Sequence, residues 1–187
     1  GLNHRYFLPH MDTLSKLYHT IYFDQRSSGD SETPTDTNQM RLESFVNDIN
    51  IIKEKFKLKK FHLIAHSWGN VPAIKYAASY SNNLLSFTLL NPASLSNADN
   101  REASKILNSR FDQMDQMKRN QIIESVDFKS QQSIAITQLM KLSFTKNLAQ
   151  PELIDQLNVY LPIDHAKKSS SLRYLFKDLS EYDLYPF

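Results

Sequence analysis

The residues best suited to chemistry lie in LIAHSWGN, residues 63–70, where Ser67 has Ala65 two residues before it and Gly69 two residues after. A serine hydroxyl attacks a carbonyl carbon only if it is lifted clear of the backbone, loses its proton to a base and has N–H groups ready for the oxyanion. The first need is met where a serine ends a buried strand and opens a helix, because the turn there is sharp and its neighbours must be small. In that setting the Trp68 amide, near the positive end of the following helix, is the expected oxyanion donor. The competing reading is that Ser67 only caps the helix, and five residues alone do not separate the two.

A base for Ser67 has to be sought among six histidines. His66 lies in the turn itself, and strand alternation aims it away from the Ser67 hydroxyl, so it is expected to line the pocket or serve the fold. His4 could line the pocket but is expected at the surface; His10, His19 and His62 carry no mark. Asp164 and His165 follow Ser67 in a suitable order, yet neighbouring residues project in different directions, and a triad needs the carboxylate behind the imidazole. Asp24 and Arg26 are expected to hold a loop. Met114 with Met117, and Phe144 with Leu148, have helical spacing and are expected in the core. With only Gly1, Gly29 and Gly69 in the chain, glycine is expected only where a side chain is not tolerated.

Three segments have the β-branched and aromatic character of buried strands: HTIYFDQ (19–25), KFHLIAHS (60–67) and LSFTLLNP (85–92). Between the first two, Leu42, Phe45, Val46, Ile49, Ile52 and Phe56 share one helical face, with Thr37 or Asn38 as N-cap. Between the second and third, Val71, Ile74 and Ala78 mark a shorter helix. This alternation predicts an α/β fold with a parallel sheet. After Pro92 the pattern turns helical, with helices predicted over 99–110, 112–127, 130–147, 151–159 and 169–179 and Pro151 in a first turn. The predicted division is a partial α/β core over 1–95 and a helical cap over 96–187.

Lys and Arg number 22 against 20 Asp and Glu, without the basic excess of a nucleic-acid binder. Cysteine is absent, so disulfides and thiolate metal sites are excluded. No apolar run reaches the roughly 18 residues of a membrane span. GLNHRYFLPH has no signal-peptide pattern, and a cytoplasmic protein is expected.

Taken together, GLNHRYFLP at the start, DQRSSGDS (24–31) and AHSWG (65–69) resemble three ordered motifs of the α/β-hydrolase family, closest to its proline iminopeptidase branch. That branch has an HGGPG loop, a DQRGxGxS loop and a G-x-SWG elbow. Ala65 stands for the first elbow glycine and Ser27 for the glycine after DQR. Asn70 and Pro72 fall early in the elbow helix, where Pro72 fits if Asn70 is the cap and bends the helix if it begins at Trp68.

The resemblance implies an α/β-hydrolase core with a helical cap, no cofactor or metal, and a serine hydrolase with Ser67 as nucleophile and Trp68 N–H in the oxyanion hole. Gly1 and His66 would lie beside the substrate, a small peptide cleaved at its N-terminus or an ester. The triad acid and His would follow the cap, beyond Phe187, so the chain is expected to be truncated at both ends. Proline-specific members carry a Trp-Glu pair in the cap for the free amine, whereas Trp68 is the only Trp here. Glu102, Glu124, Glu152 and Glu181 are the remaining amine partners, and a carboxylesterase or amidase is the rival chemistry. A non-catalytic binding protein of the same fold is the rival class; oligomeric state is not legible.

Overall fold

The computed structural model describes residues 2–8, 10–130, 132–180 and 182–185. The regular elements are α1 (Leu42–Lys55), β1 (Phe61–Ser67), α2 (Asn70–Tyr80), β2 (Leu84–Pro92), α3 (Asn97–Asn108), α4 (Gln113–Glu124), α5 (Val126–Ser130), α6 (Gln132–Thr145) and α7 (His165–Leu179). Short 3-10 turns cover His4–Phe7, Asp12–Lys16, Thr37–Met40, Ser81–Asn83 and Pro151–Gln156. The chain gathers into two compact units, one of residues 1–33 and 107–171, the other of residues 34–106 and 172–187.

The second unit carries the sheet. β1 and β2 pair in parallel, with Leu63 opposite Phe87 and Ala65 opposite Leu89, and α2 connects them and packs on both. Met40, Leu42, Phe45, Val71, Leu175 and Leu184 form its core, and Trp68 packs against it. α1 forms because Leu42, Phe45 and Ile49 repeat at helical spacing and bury one face. Its start is capped from far away: Arg41 supplies no side-chain cap, and the Leu42 amide donates instead to the Asp178 carboxylate at 2.8 Å. The predicted caps Thr37 and Asn38 lie in the preceding 3-10 turn, which Asp36 caps through the Asn38 amide.

Residues 19–25 are not a strand. Their backbone joins no ladder among the described residues, and Tyr22 instead turns to the amino-terminal segment, its ring 6.4 Å from that of Phe7 and its hydroxyl bonded to the Met11 carbonyl. The two strands that do form are less buried than their composition predicts: Ala65 alone of β1 is buried, while Ile64, Leu85 and Leu89 are exposed. A parallel sheet is buried when helices cover both faces. Here α2 covers what is covered.

In the first unit, α4 starts with a reciprocal capping box between Asp112 and Asp115, and Asp115 also binds Lys146. α4 ends at Ser125, whose hydroxyl caps the next turn through the Phe128 amide, so the predicted helix over 112–127 is two helices. Met114 and Met117 are exposed, against expectation, because α4 turns the face of Asp115 and Ile122 inward and both methionines fall on other sides of the helix. Phe144 is partly buried against Tyr6, ring centroids 6.3 Å apart.

Candidate active site

β1 ends at Ser67 with the backbone in the left-handed region, φ 54°, which a non-glycine residue adopts only where its surroundings demand it. Three residues later α2 begins. The strand, the left-handed serine and the helix make the sharp turn anticipated from AHSWG. Ser67 is exposed, and its hydroxyl has no hydrogen-bond partner among the described residues. Ala65 is buried. Gly69 sits at φ −58°, ψ −17°, torsions open to any residue, so the turn needs the left-handed conformation at the serine itself and not at the glycine. Pro72, third in α2, falls where its missing N–H would have no helical partner, and the helix is not broken.

Trp68 places its ring edge-on to Phe45, centroids 5.4 Å apart, which anchors the turn to the core. Its backbone N–H donates no hydrogen bond among the described residues and so remains available beside the Ser67 hydroxyl. His66 is half-buried, and burial holds its imidazole below the ordinary value of 6.5, neutral at pH 7. Gly1 lies outside the described residues. Sequence reasoning missed the part played by Asn70. It is fully buried, and its side-chain N–H groups donate to the carbonyls of Ser67 (2.5 Å) and Leu90 (3.4 Å) while its Oδ1 has no partner among the described residues. The signal available was a polar residue opening the apolar run VPAI.

The loop after residue 23 forms a separate knot in the first unit. The Asp24 carboxylate accepts from the His4 amide at 2.5 Å, lies 3.0 Å from His4 Nδ1 and accepts from the Asp30 amide at 2.9 Å, so His4 is bonded and not a surface bystander. Gly29 has φ 51°, and a Cβ there would overlap the Asp24 carboxylate and Asn3. Ser27, in the place of the family's glycine, is also left-handed at φ 59°. The Asp164 carboxylate pairs with Lys168 at 3.3 Å, and no hydrogen bond joins it to His165 among the described residues.

Residues 1–158 match the family model described as alpha/beta hydrolase fold. The chain belongs to the α/β-hydrolase fold family. Within the family it is similar to a proline iminopeptidase of Chitinophaga pinensis, 30% identical over 88 residues that make up 46% of this chain and 29% of that protein. The match thus spans less than a third of that relative. Among solved structures, an esterase of Thermogutta terrifontis superposes with a TM-score of 0.61 at 15% identity, covering 98% of this chain and 61% of that one. A Bacillus megaterium epoxide hydrolase superposes at 0.58 with 17% identity, covering 99% and 67%. Both are likenesses of fold. The fold is of the α/β-hydrolase class, helix-rich with β1 and β2 in a parallel sheet, consistent with a core and a helical cap. No helix among the described residues is long and apolar enough to cross a membrane.

Proposed function

We propose that this α/β-hydrolase is a serine hydrolase acting by acyl transfer. Ser67 Oγ attacks a substrate carbonyl, the Trp68 N–H stabilises the oxyanion, and the acyl-serine is released by water. The observation that carries this reading is the exposed serine at φ 54° between β1 and α2, a strained torsion that a helix cap does not need. In the family's order the acid and base that activate it follow the serine, and the pair Asp164 and His165, which share no hydrogen bond among the described residues, is not assigned to that role. In this reading residues 1–95 belong to the core and 96–187 to the cap, and His66 borders the substrate.

Removal of an N-terminal residue from a small peptide is the favoured activity, on the similarity to proline iminopeptidases over 88 residues. One observation favours the rival esterase or amidase. Glu102, Glu124 and Glu152, three of the four acidic residues that could receive a free amine, are exposed and enclose nothing; Glu181 lies outside the described residues.

The test uses the protein as its gene encodes it. Ser67→Ala is expected to abolish fluorophosphonate labelling and to lower kcat by several orders of magnitude at an unchanged melting temperature. Equal labelling of both proteins would move the nucleophile to another residue, and no labelling of either would leave a binding protein of this fold. Comparison of kcat/KM on an aryl ester and on a prolyl arylamide then separates the two chemistries.

A further inference from the structure

We infer that Asn70 is a positioning residue for the Ser67 elbow, a role that rests on the reading of Ser67 as nucleophile. An asparagine at a helix start ordinarily accepts from the helix's own free N–H groups at the solvent edge. Asn70 does the opposite. It is fully buried beside Val71, Pro72, Ala73 and Tyr76, and its amide points back to donate to two carbonyls, Ser67 at the end of β1 and Leu90 near the end of β2.

Both carbonyls adjoin strained backbone. Ser67 is itself left-handed, and Asn91, which follows Leu90, has φ 40°. Each strand therefore has a left-handed residue in its last two positions, and the Asn70 amide ties the two strand ends together. The Ser67 carbonyl is held twice, because it also accepts from the Ala93 amide at 3.3 Å. A peptide unit is planar and trans, so fixing that carbonyl fixes the Trp68 N–H on the opposite side of the same plane. One side chain thus orients the torsion that presents the nucleophile and the amide that would meet the oxyanion. The unpartnered Oδ1 marks the same purpose: a buried acceptor is costly when unpaired, and an apolar residue of this size would fill the space without it.

The experiment compares wild type with Asn70→Leu, Asn70→Ser and Asn70→Ala in the protein as its gene encodes it. Leucine keeps the forked shape, is somewhat larger, and removes both donors. It is expected to fold, with kcat lower by about a hundredfold and KM within about twofold, since the loss is felt at the oxyanion and not in substrate binding. Serine at a helix start can return one bond to the carbonyl three residues back and is expected to recover part of the rate. Wild-type kcat in Asn70→Leu, a parallel change in KM, or serine no better than leucine would overturn the inference. Should leucine prevent folding, serine and alanine decide: serine faster supports the clamp, equal rates overturn it.

If wild type labels with fluorophosphonate no more than Ser67→Ala, it is the reading of Ser67 as nucleophile that fails. Amide exchange at Ala93 then judges the clamp by itself. Faster exchange in Asn70→Leu keeps it, and unchanged exchange overturns it.

Discussion

The left-handed torsion of Ser67 stores about 1–2 kcal/mol of backbone strain, and the fold retains it at an exposed hydroxyl where packing gains nothing. Two further left-handed residues occupy the loop after Asp24, and magnitudes separate their roles. Gly29→Ala adds the left-handed penalty to an overlap with a carboxylate pinned by His4 and Asp30, so a loss of about 3 kcal/mol is expected from chemical denaturation. Ser27→Gly removes a similar strain but also the hydrogen bond at 2.8 Å between the Ser27 and Ser171 hydroxyls, worth about 1 kcal/mol. These nearly cancel, and the same denaturation series is expected to find Ser27→Gly within about 1 kcal/mol of wild type. A stable Gly29→Ala protein would show that the loop yields. At this scale AHSWG was legible, because a serine between a strand and a helix has few conformations open to it. The Asn70 clamp was not, because one of its two acceptors lies 20 residues on, in β2.

The elements were legible wherever a face repeats at helical spacing, as in α1 and α2, and illegible where a distant partner decides. HTIYFDQ has strand composition and no strand, since composition supplies no neighbour to pair with. The cap of α1 is the same lesson: its acceptor, Asp178, lies 136 residues from Leu42. Asp178 also binds Arg41 through Nε at 2.6 and 2.7 Å, and this, with the Leu42 amide, holds its carboxyl below the ordinary value of 3.8. A carboxylate whose folded value is depressed contributes stability that is complete above the unfolded value and lost as pH falls through the folded one. Arg41 is half-exposed, so solvent screens its ion pair and reduces what that pair contributes to stability. Asp178→Ala is expected to cost about 1–2 kcal/mol at pH 7 and to flatten the decline in stability below about pH 4, as read from denaturant midpoints across pH. A decline as steep as wild type's would assign it to other carboxylates, Asp115 beside Lys146 first among them.

At the scale of the whole molecule, the α/β class and the helical stretch after Pro92 were legible because periodicity changes from strand to helix there. The grouping of residues 1–33 with 107–171 was not, since it depends on contacts such as those of Ser27 with Ser171 and of Tyr6 with Phe144 across more than a hundred residues of chain. The sheet carries the consequence that matters in solution. β1 and β2 pair only with each other among the described residues, so each leaves one row of backbone donors and acceptors unpaired, a template for joining another chain. Leu85 is 59% exposed, and Ile64 and Leu89 are close to 40%, so the same strands also offer apolar side chains, each worth about 1.5–3 kcal/mol on full burial. A polypeptide of residues 1–187 alone is therefore expected to self-associate at tens of micromolar, as read by light scattering after size exclusion. Leu85→Lys together with Leu89→Lys is expected to return it toward monomer at unchanged helical circular dichroism, because a charge at a strand edge resists pairing without touching the core of Met40, Phe45 and Leu175. A wild-type polypeptide that runs as a single monomeric species would mean that these edges are covered from within the chain; association unaffected by the two lysines would move the sticky surface to the exposed apolar residues of the other unit, Val126 and Ile163.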